Sequence, residues 1–258
     1  MVKMYLDWNV ILALKKKEFS AESITKYLNA QDVLFPYSAV HIQEVDNISA
    51  LNDELRSKQI DEHLDYLSYL TNDLYIYHNL TDKTVSLFIE KPHDVLQTIR
   101  GVSFAKTIMK TFINIISPEQ KKSFREMMGI DPRQLNNYKP DEVVIQLDSV
   151  LKAKNNSVGF IEILDKAFNS FPDRKDFGLH NYIASIFELL DMVGYWKDEE
   201  TDNSNYARLW DANHTFFASY TDYFVSNDKR TRNKAMVVYT LFKINTKVVS
   251  SEEALKYL

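Results

Sequence analysis

The chain has 258 residues, 45% hydrophobic and 26% charged, with a net charge of −5 at neutral pH. This is ordinary globular composition with ample core, and the acidic balance argues against a protein that coats nucleic acid with its whole surface, though not against a local basic groove. Cysteine is absent, which excludes disulfides, thiolate metal sites and thiol nucleophiles.

Val2-Lys3-Met4-Tyr5-Leu6 opens the chain as a short apolar strand suited to the middle of a sheet. Helices are expected from about Trp8 to Lys17 and from Ala21 to Ala30, the second capped by Ser20. Asp32 to Phe35 reads as a second strand that Pro36 ends, and Ser38 caps a helix through about Val45. A Leu-spaced charged helix follows from Leu51 to Leu70, with further strands at Leu74 to Tyr77 and Val85 to Ile89. The middle is helical: Phe104, Ile108, Phe112 and Ile116 repeat at helical spacing. So do Val143, Leu147 and Leu151, then Ile161, Leu164 and Phe168, then Ile183, Phe187 and Leu190. Pro118, Pro132, Pro140 and Pro172 separate these segments. Lys197 to Ser204 is polar and reads as a surface loop. The chain then runs helix (Asn205 to Ser219), strand (Tyr223 to Val225), helix (Thr231 to Lys243), strand (Thr246 to Val249) and a short helix from Ser251 to Tyr257.

Strand-helix alternation at both ends of the chain favours a parallel sheet covered by helices, and such sheets place their sites beyond the carboxyl ends of the strands. Asp7 and Asp228 occupy that position by sequence. Glu44, on the helix after the second strand, can reach the same edge, and Asp211 can approach it from the helix before Tyr223. Carboxylates gathered in this way suit a hard divalent cation, since Mg²⁺ takes oxygen ligands and keeps several waters for substrate. Lys229, Arg230, Arg232 and Lys234 crowd beside Asp228 and could neutralise the phosphates of a bound strand. Each residue has a duller reading as well. Asp7 could be a helix cap, Glu44 has a rival in Asp46, His214 could be a structural histidine and the four bases a solvated helix start. Trp8 and Tyr37 are the aromatics next to candidate ligands.

The constellation Asp7-Trp8-Asn9-Val10, Ser38 to Glu44, Asp211-Ala212-Asn213-His214 and Asp222-Tyr223-Phe224-Val225-Ser226-Asn227-Asp228 resembles the PIN-domain nucleases. The resemblance covers the two ends of the chain. It implies a three-layer α/β/α sandwich with a central parallel sheet, formed by core segments 1–45 and 205–258, with a mostly helical insertion at 46–204. It also implies a single PIN-like domain that cuts RNA with Mg²⁺ or Mn²⁺, leaving a 5′-phosphate and a 3′-hydroxyl. On that resemblance Asp7, Glu44, Asp211 and Asp228 are catalytic metal ligands, with Asn9, His214 and Asn227 as their supporting neighbours. Lys229, Arg230, Arg232 and Lys234 would contact RNA phosphate.

A toxin-like or defence nuclease fits this picture, with RNA, a divalent cation, and an inhibitor protein or a second copy as partners. Two other readings stay open. A haloacid dehalogenase-like phosphatase also starts with an Asp after its first strand, but its general acid would fall on Asn9, which is no carboxylic acid. A catalytically inert PIN-like module would keep the fold and bind through its helices. The first residues reach Asp7 too soon for the apolar core of a signal peptide, and no apolar run has the about 18 residues a membrane span needs. A cytoplasmic location without a membrane partner is therefore expected.

Overall fold

The computed structural model describes residues 1–16, 21–22, 33–101, 117–154, 159, 162–163, 165–166, 178–197 and 202–256. The expected helix over Ala21 to Ala30, the Phe104 to Ile116 stripe and most of the Ile161 to Phe168 stripe lie outside these residues. The chain divides into two compact units. The first comprises Met1–Thr107, Phe217–Lys229 and Thr246–Leu258, and the second Ile108–Phe216 and Arg230–Asn245. Among the described residues no helix is long and apolar enough to cross a membrane.

The first unit holds a parallel sheet in the order β2-β1-β6-β7, made from β1 (Val2–Leu6), β2 (Val33–Leu34), β6 (Tyr223–Val225) and β7 (Lys247–Val249). Its two central strands read as near-continuous apolar runs because both faces are covered. Met4, Tyr5, Leu6, Phe224 and Val225 are all buried. A second, three-stranded sheet consists of β3 (Tyr37–Ser38), β4 (Leu74–His78) and β5 (Val85–Ile89). In it β3 and β4 run parallel, while β5 returns antiparallel through a turn containing Asp82 and Lys83. A parallel sheet is thus present, but the chain also builds a mixed sheet that the alternation of elements did not indicate. Pro36, expected to end the strand before it, is followed directly by β3, which pairs Tyr37 with Tyr75 and Ser38 with Ile76.

Four helices pack with these strands: α1 (Trp8–Lys15), α2 (Ala39–Asp46), α3 (Asp53–Thr71) and α4 (Pro92–Gly101). Their apolar stripes join one core containing Trp8, Ile11, Leu14, Ile42, Val45, Ile60, Leu64, Leu67 and Leu96 together with Met4, Leu6 and Val225. Asn52 starts α3 by accepting the Leu55 N–H at 2.8 Å. Asn72 ends it in the left-handed conformation at φ 49°.

The second unit, among its described residues, is helical: α5 (Pro118–Met128), α6 (Pro132–Leu135), α7 (Pro140–Lys154), α8 (Leu179–Val193), α9 (Asp202–Ala218, up to Phe216) and α10 (Lys229–Phe242, from Arg230). Pro118, Pro132 and Pro140 each open a helix at its first position, where the missing N–H costs nothing. Asp202 to Ser204, expected in a loop, form the first turn of α9. Gly194 closes α8 at φ +86° and lies so close to Pro132 that a Cβ there would meet its Cγ at 2.6 Å. The short α11 (Ser251–Lys256) follows β7 in the first unit.

Inside the second unit runs an ion network that periodicity could not reveal. Arg208 is 1% exposed. It donates to Glu188 through Nε at 2.7 Å and Nη2 at 3.0 Å, and pairs with Asp191 at 3.1 Å. Lys121 completes the network on Asp191 at 2.6 Å.

Candidate metal centre

Register decides which residues meet at the carboxyl edge of the parallel sheet. Leu6, Val225 and Val249 form the last paired row. Asp7 N–H donates to the Val225 carbonyl at 2.8 Å and Ser226 N–H to the Val249 carbonyl at 3.1 Å, extending the ladder by one step. The next row is therefore Asp7, Ser226 and Ser250, at the edge where sites of such sheets lie.

Asp7 stands at the N-cap position of α1 with extended backbone (φ −64°, ψ 154°), yet its side chain makes no capping bond. Its Oδ2 accepts instead from Asn9 Nδ2 at 2.6 Å and from Ser226 Oγ at 2.5 Å, and the residue is only 4% exposed. The helix-cap alternative for Asp7 thus fails: the carboxylate is turned to the sheet edge, held by two short donors. Those donors are themselves fixed. Asn9 Oδ1 accepts the Asn227 N–H at 2.9 Å, and Asn227 Oδ1 accepts from Ser251 through its N–H at 3.1 Å and its hydroxyl at 2.5 Å. Asp228 N–H donates to Ser226 Oγ at 3.2 Å, so the Asp228 backbone is one hydroxyl away from Asp7. Asn9 thus bonds the Asp7 carboxylate directly, and Asn227 bonds Asn9. Ser226 and Ser251 were not singled out from the sequence. Aligning the ends of β1 and β6 would have exposed Ser226, because it shares a row with Asp7.

Glu44 comes to the same edge on α2, half-buried, and one of its carboxylate oxygens lies within 4.8 Å of one from Asp7. The neighbouring candidate Asp46 is committed elsewhere: Arg100 forks onto its Oδ1 through Nε at 3.0 Å and Nη2 at 2.8 Å. Two guanidinium N–H bonds are a strong partner for a carboxylate, so Asp46 is engaged by Arg100. Trp8 and Tyr37 prove to be core residues. Trp8 meets the His63 ring edge-on at 5.4 Å, and Tyr37 donates to the Glu90 carbonyl at 2.6 Å, with burial pushing its hydroxyl pKa upward.

Asp211 and His214 lie one turn apart on α9, in the part counted with the second unit. His214 is buried at 1% exposure and Asp211 half-buried, its carbonyl accepting from Thr215 Oγ1 at 2.8 Å. Of the four expected phosphate-binding bases, Lys229 is exposed and Arg230 and Arg232 are half-buried. Lys234 departs from expectation. It is 1% exposed, with its ammonium 5.9 Å above the Phe187 ring, which withdraws it from any strand lying on the surface.

The donor chemistry fits a hard divalent cation. Two carboxylate oxygens within 4.8 Å are at the spacing of ligands around one ion, since trans oxygens on Mg²⁺ stand about 4.2 Å apart. Close carboxylates repel, and a shared cation is the ordinary way to relieve that repulsion. Comparison of the chain with protein-family models, with curated proteins and with solved structures gives no match.

Proposed function

We propose that the protein is a Mg²⁺- or Mn²⁺-dependent endoribonuclease of PIN-like type. The observation that carries the proposal is the buried Asp7 carboxylate at the sheet edge, which makes no capping bond to its own helix and lies within 4.8 Å of the Glu44 carboxylate. Asp7 and Glu44 are the donors assigned to the ion, with Asp228 as a further acid of the same unit. When bound, such an ion stabilises charge developing on a phosphodiester and lowers the pKa of an attacking water.

The protein's own residues do the rest. Asn9 and Ser226 hold Asp7 Oδ2 in place, so little reorganisation is required on binding. Asp228 follows Ser226 in the loop that the Asn9–Asn227–Ser251 bonds fix. Lys229, Arg230 and Arg232 neutralise flanking backbone phosphates, which makes RNA binding weaken with salt. No side-chain nucleophile is needed, in keeping with a chain that has no cysteine.

The test is cleavage of a labelled single-stranded RNA pool with Mn²⁺ or Mg²⁺. Cleavage stopped by EDTA, leaving 5′-phosphate ends and reduced at least about 100-fold in Asp7→Asn and Asp228→Asn, supports the reading; that factor is worth about 2.7 kcal/mol of barrier. Absence of cleavage with Mn²⁺, together with unchanged Mn²⁺ binding in Asp7→Asn, would refute it.

A further inference from the structure

His41 is fully buried, and its two ring nitrogens are bonded to the backbones that carry the two carboxylates. Ser38 N–H lies 3.0 Å from Nδ1, and the Leu6 carbonyl lies 2.7 Å from Nε2. An N–H can only donate and a carbonyl can only accept. One neutral tautomer therefore serves both contacts, with Nδ1 the acceptor and Nε2–H the donor. Ser38 is the N-cap of α2, so the first bond ties the ring to the helix start. The Leu6 carbonyl belongs to the peptide that joins Leu6 to Asp7, so the second ties the ring to the point where Asp7 leaves the sheet. Glu44 lies three residues after His41 and therefore on the same face of α2. The Tyr5 ring packs against the imidazole at 4.9 Å between centroids, and the Tyr5 hydroxyl bonds Ser38 Oγ at 2.7 Å, which holds the ring in its slot.

We infer that His41 is a positioning residue that sets the separation of Asp7 and Glu44, and with it the affinity of the site for a divalent cation. The inference rests on the metal-site reading proposed above. Its mechanism is geometric: the imidazole is a rigid spacer with an acceptor at one end and a donor at the other. Removing either end lets α2 shift against the end of β1, and a pair of ligands that must converge on one ion tolerates such shifts poorly. Groups that orient metal ligands typically change affinity by about 10- to 100-fold when lost.

The experiment is titration of the full chain with Mn²⁺ alone, following the free-ion EPR signal, for the natural protein and for His41→Phe, His41→Asn and His41→Gln. Phe keeps the ring shape without nitrogens, and Asn is polar but too short to span both partners. Gln at this helix position can accept the Ser38 N–H in the manner of a capping box while its amide N–H₂ reaches the Leu6 carbonyl. The expected result is a loss of about 10-fold or more in Mn²⁺ affinity for Phe and Asn, with Gln close to the natural protein. Circular dichroism identifies which variants are folded, and Asn serves if Phe does not fold. Equal affinity across the folded variants, or Gln as weak as Asn, would overturn the inference. A natural protein that binds no Mn²⁺, or binds it as well after Asp7→Asn, would instead sink the metal-site reading itself.

Discussion

Replacing Asp7 by Asn should make the metal-free protein more stable while abolishing its stabilisation by metal. The amide is isosteric and keeps an oxygen for Asn9 Nδ2 and Ser226 Oγ. What it removes is a negative charge within 4.8 Å of the Glu44 carboxylate. At an effective dielectric constant of about 20, two unit charges at that distance repel by about 3.5 kcal/mol, and the half-exposed setting of Glu44 reduces this to about 2 kcal/mol. Against the gain stands the weakening of two charge-assisted bonds to neutral ones, about 0.5 kcal/mol each. The net expectation is a gain of about 1 kcal/mol in EDTA, read from urea unfolding. Mn²⁺ at 100 times its Kd should add about 2.7 kcal/mol to the natural protein and nothing to the variant, so the order of stability reverses. A variant less stable than the natural protein in EDTA would refute the reasoning, because Asp7 would then be stabilising the fold by its charge rather than straining it.

Two further expectations follow from the same reasoning about buried charge. Arg208→Ala removes three charge-assisted contacts from a side chain that is 1% exposed. Because Lys121 still neutralises Asp191 and Glu188 can turn to water, the cost should sit near the low end for a broken buried pair, about 3 kcal/mol in chemical denaturation; a loss under about 0.5 kcal/mol would show that the network is energetically idle. The second concerns pH. Burial, then the Lys15 ammonium whose Nζ lies 3.2 Å from Nδ1, holds the His63 pKa below its ordinary value. The folded state therefore favours neutral imidazole. The contribution of His63 is fully present above the unfolded-state pKa of about 6.5 and is lost as pH falls below it. His63→Gln should flatten the decline in stability between pH 7.5 and 5.5, and parallel declines for the two proteins would refute this.

The elements that form the edge of the parallel sheet were readable because each carries its own local signal. Val2–Leu6 and Tyr223–Val225 are mostly apolar runs with an acid within three residues of their ends, and they occur as strands with those bounds. Val85–Ile89 is likewise a strand as expected, yet its antiparallel pairing is set by the turn at Asp82 and Lys83, which the pattern of helices and strands does not encode. The two-residue strand Tyr37–Ser38 is too short for any periodicity. It exists because β4 offers it a partner.

The site divides in the same way. Asp7 and Glu44 were legible from their places after a strand and on the following helix. The engagement of Asp46, the rival of Glu44, was not legible, because its partner Arg100 is 54 residues away in sequence. His41 lies inside the helix that Ser38 was expected to cap, and nothing local reveals that both its nitrogens meet backbone. Lys234 looked like one of four equivalent bases, and only its burial over Phe187 sets it apart.

The bond from Ser226 to Asp7 joins residues 219 positions apart, as β1 takes its place beside β6. On a ribosome the first strand emerges long before its neighbour, and closing so long a loop is slow compared with forming local helices. Asp7 and Glu44 therefore emerge well before the strand that anchors Asp7. Only when residues around Ser226 arrive can the sheet edge assemble, so the hold on Asp7 waits for a stretch of 219 residues to be made.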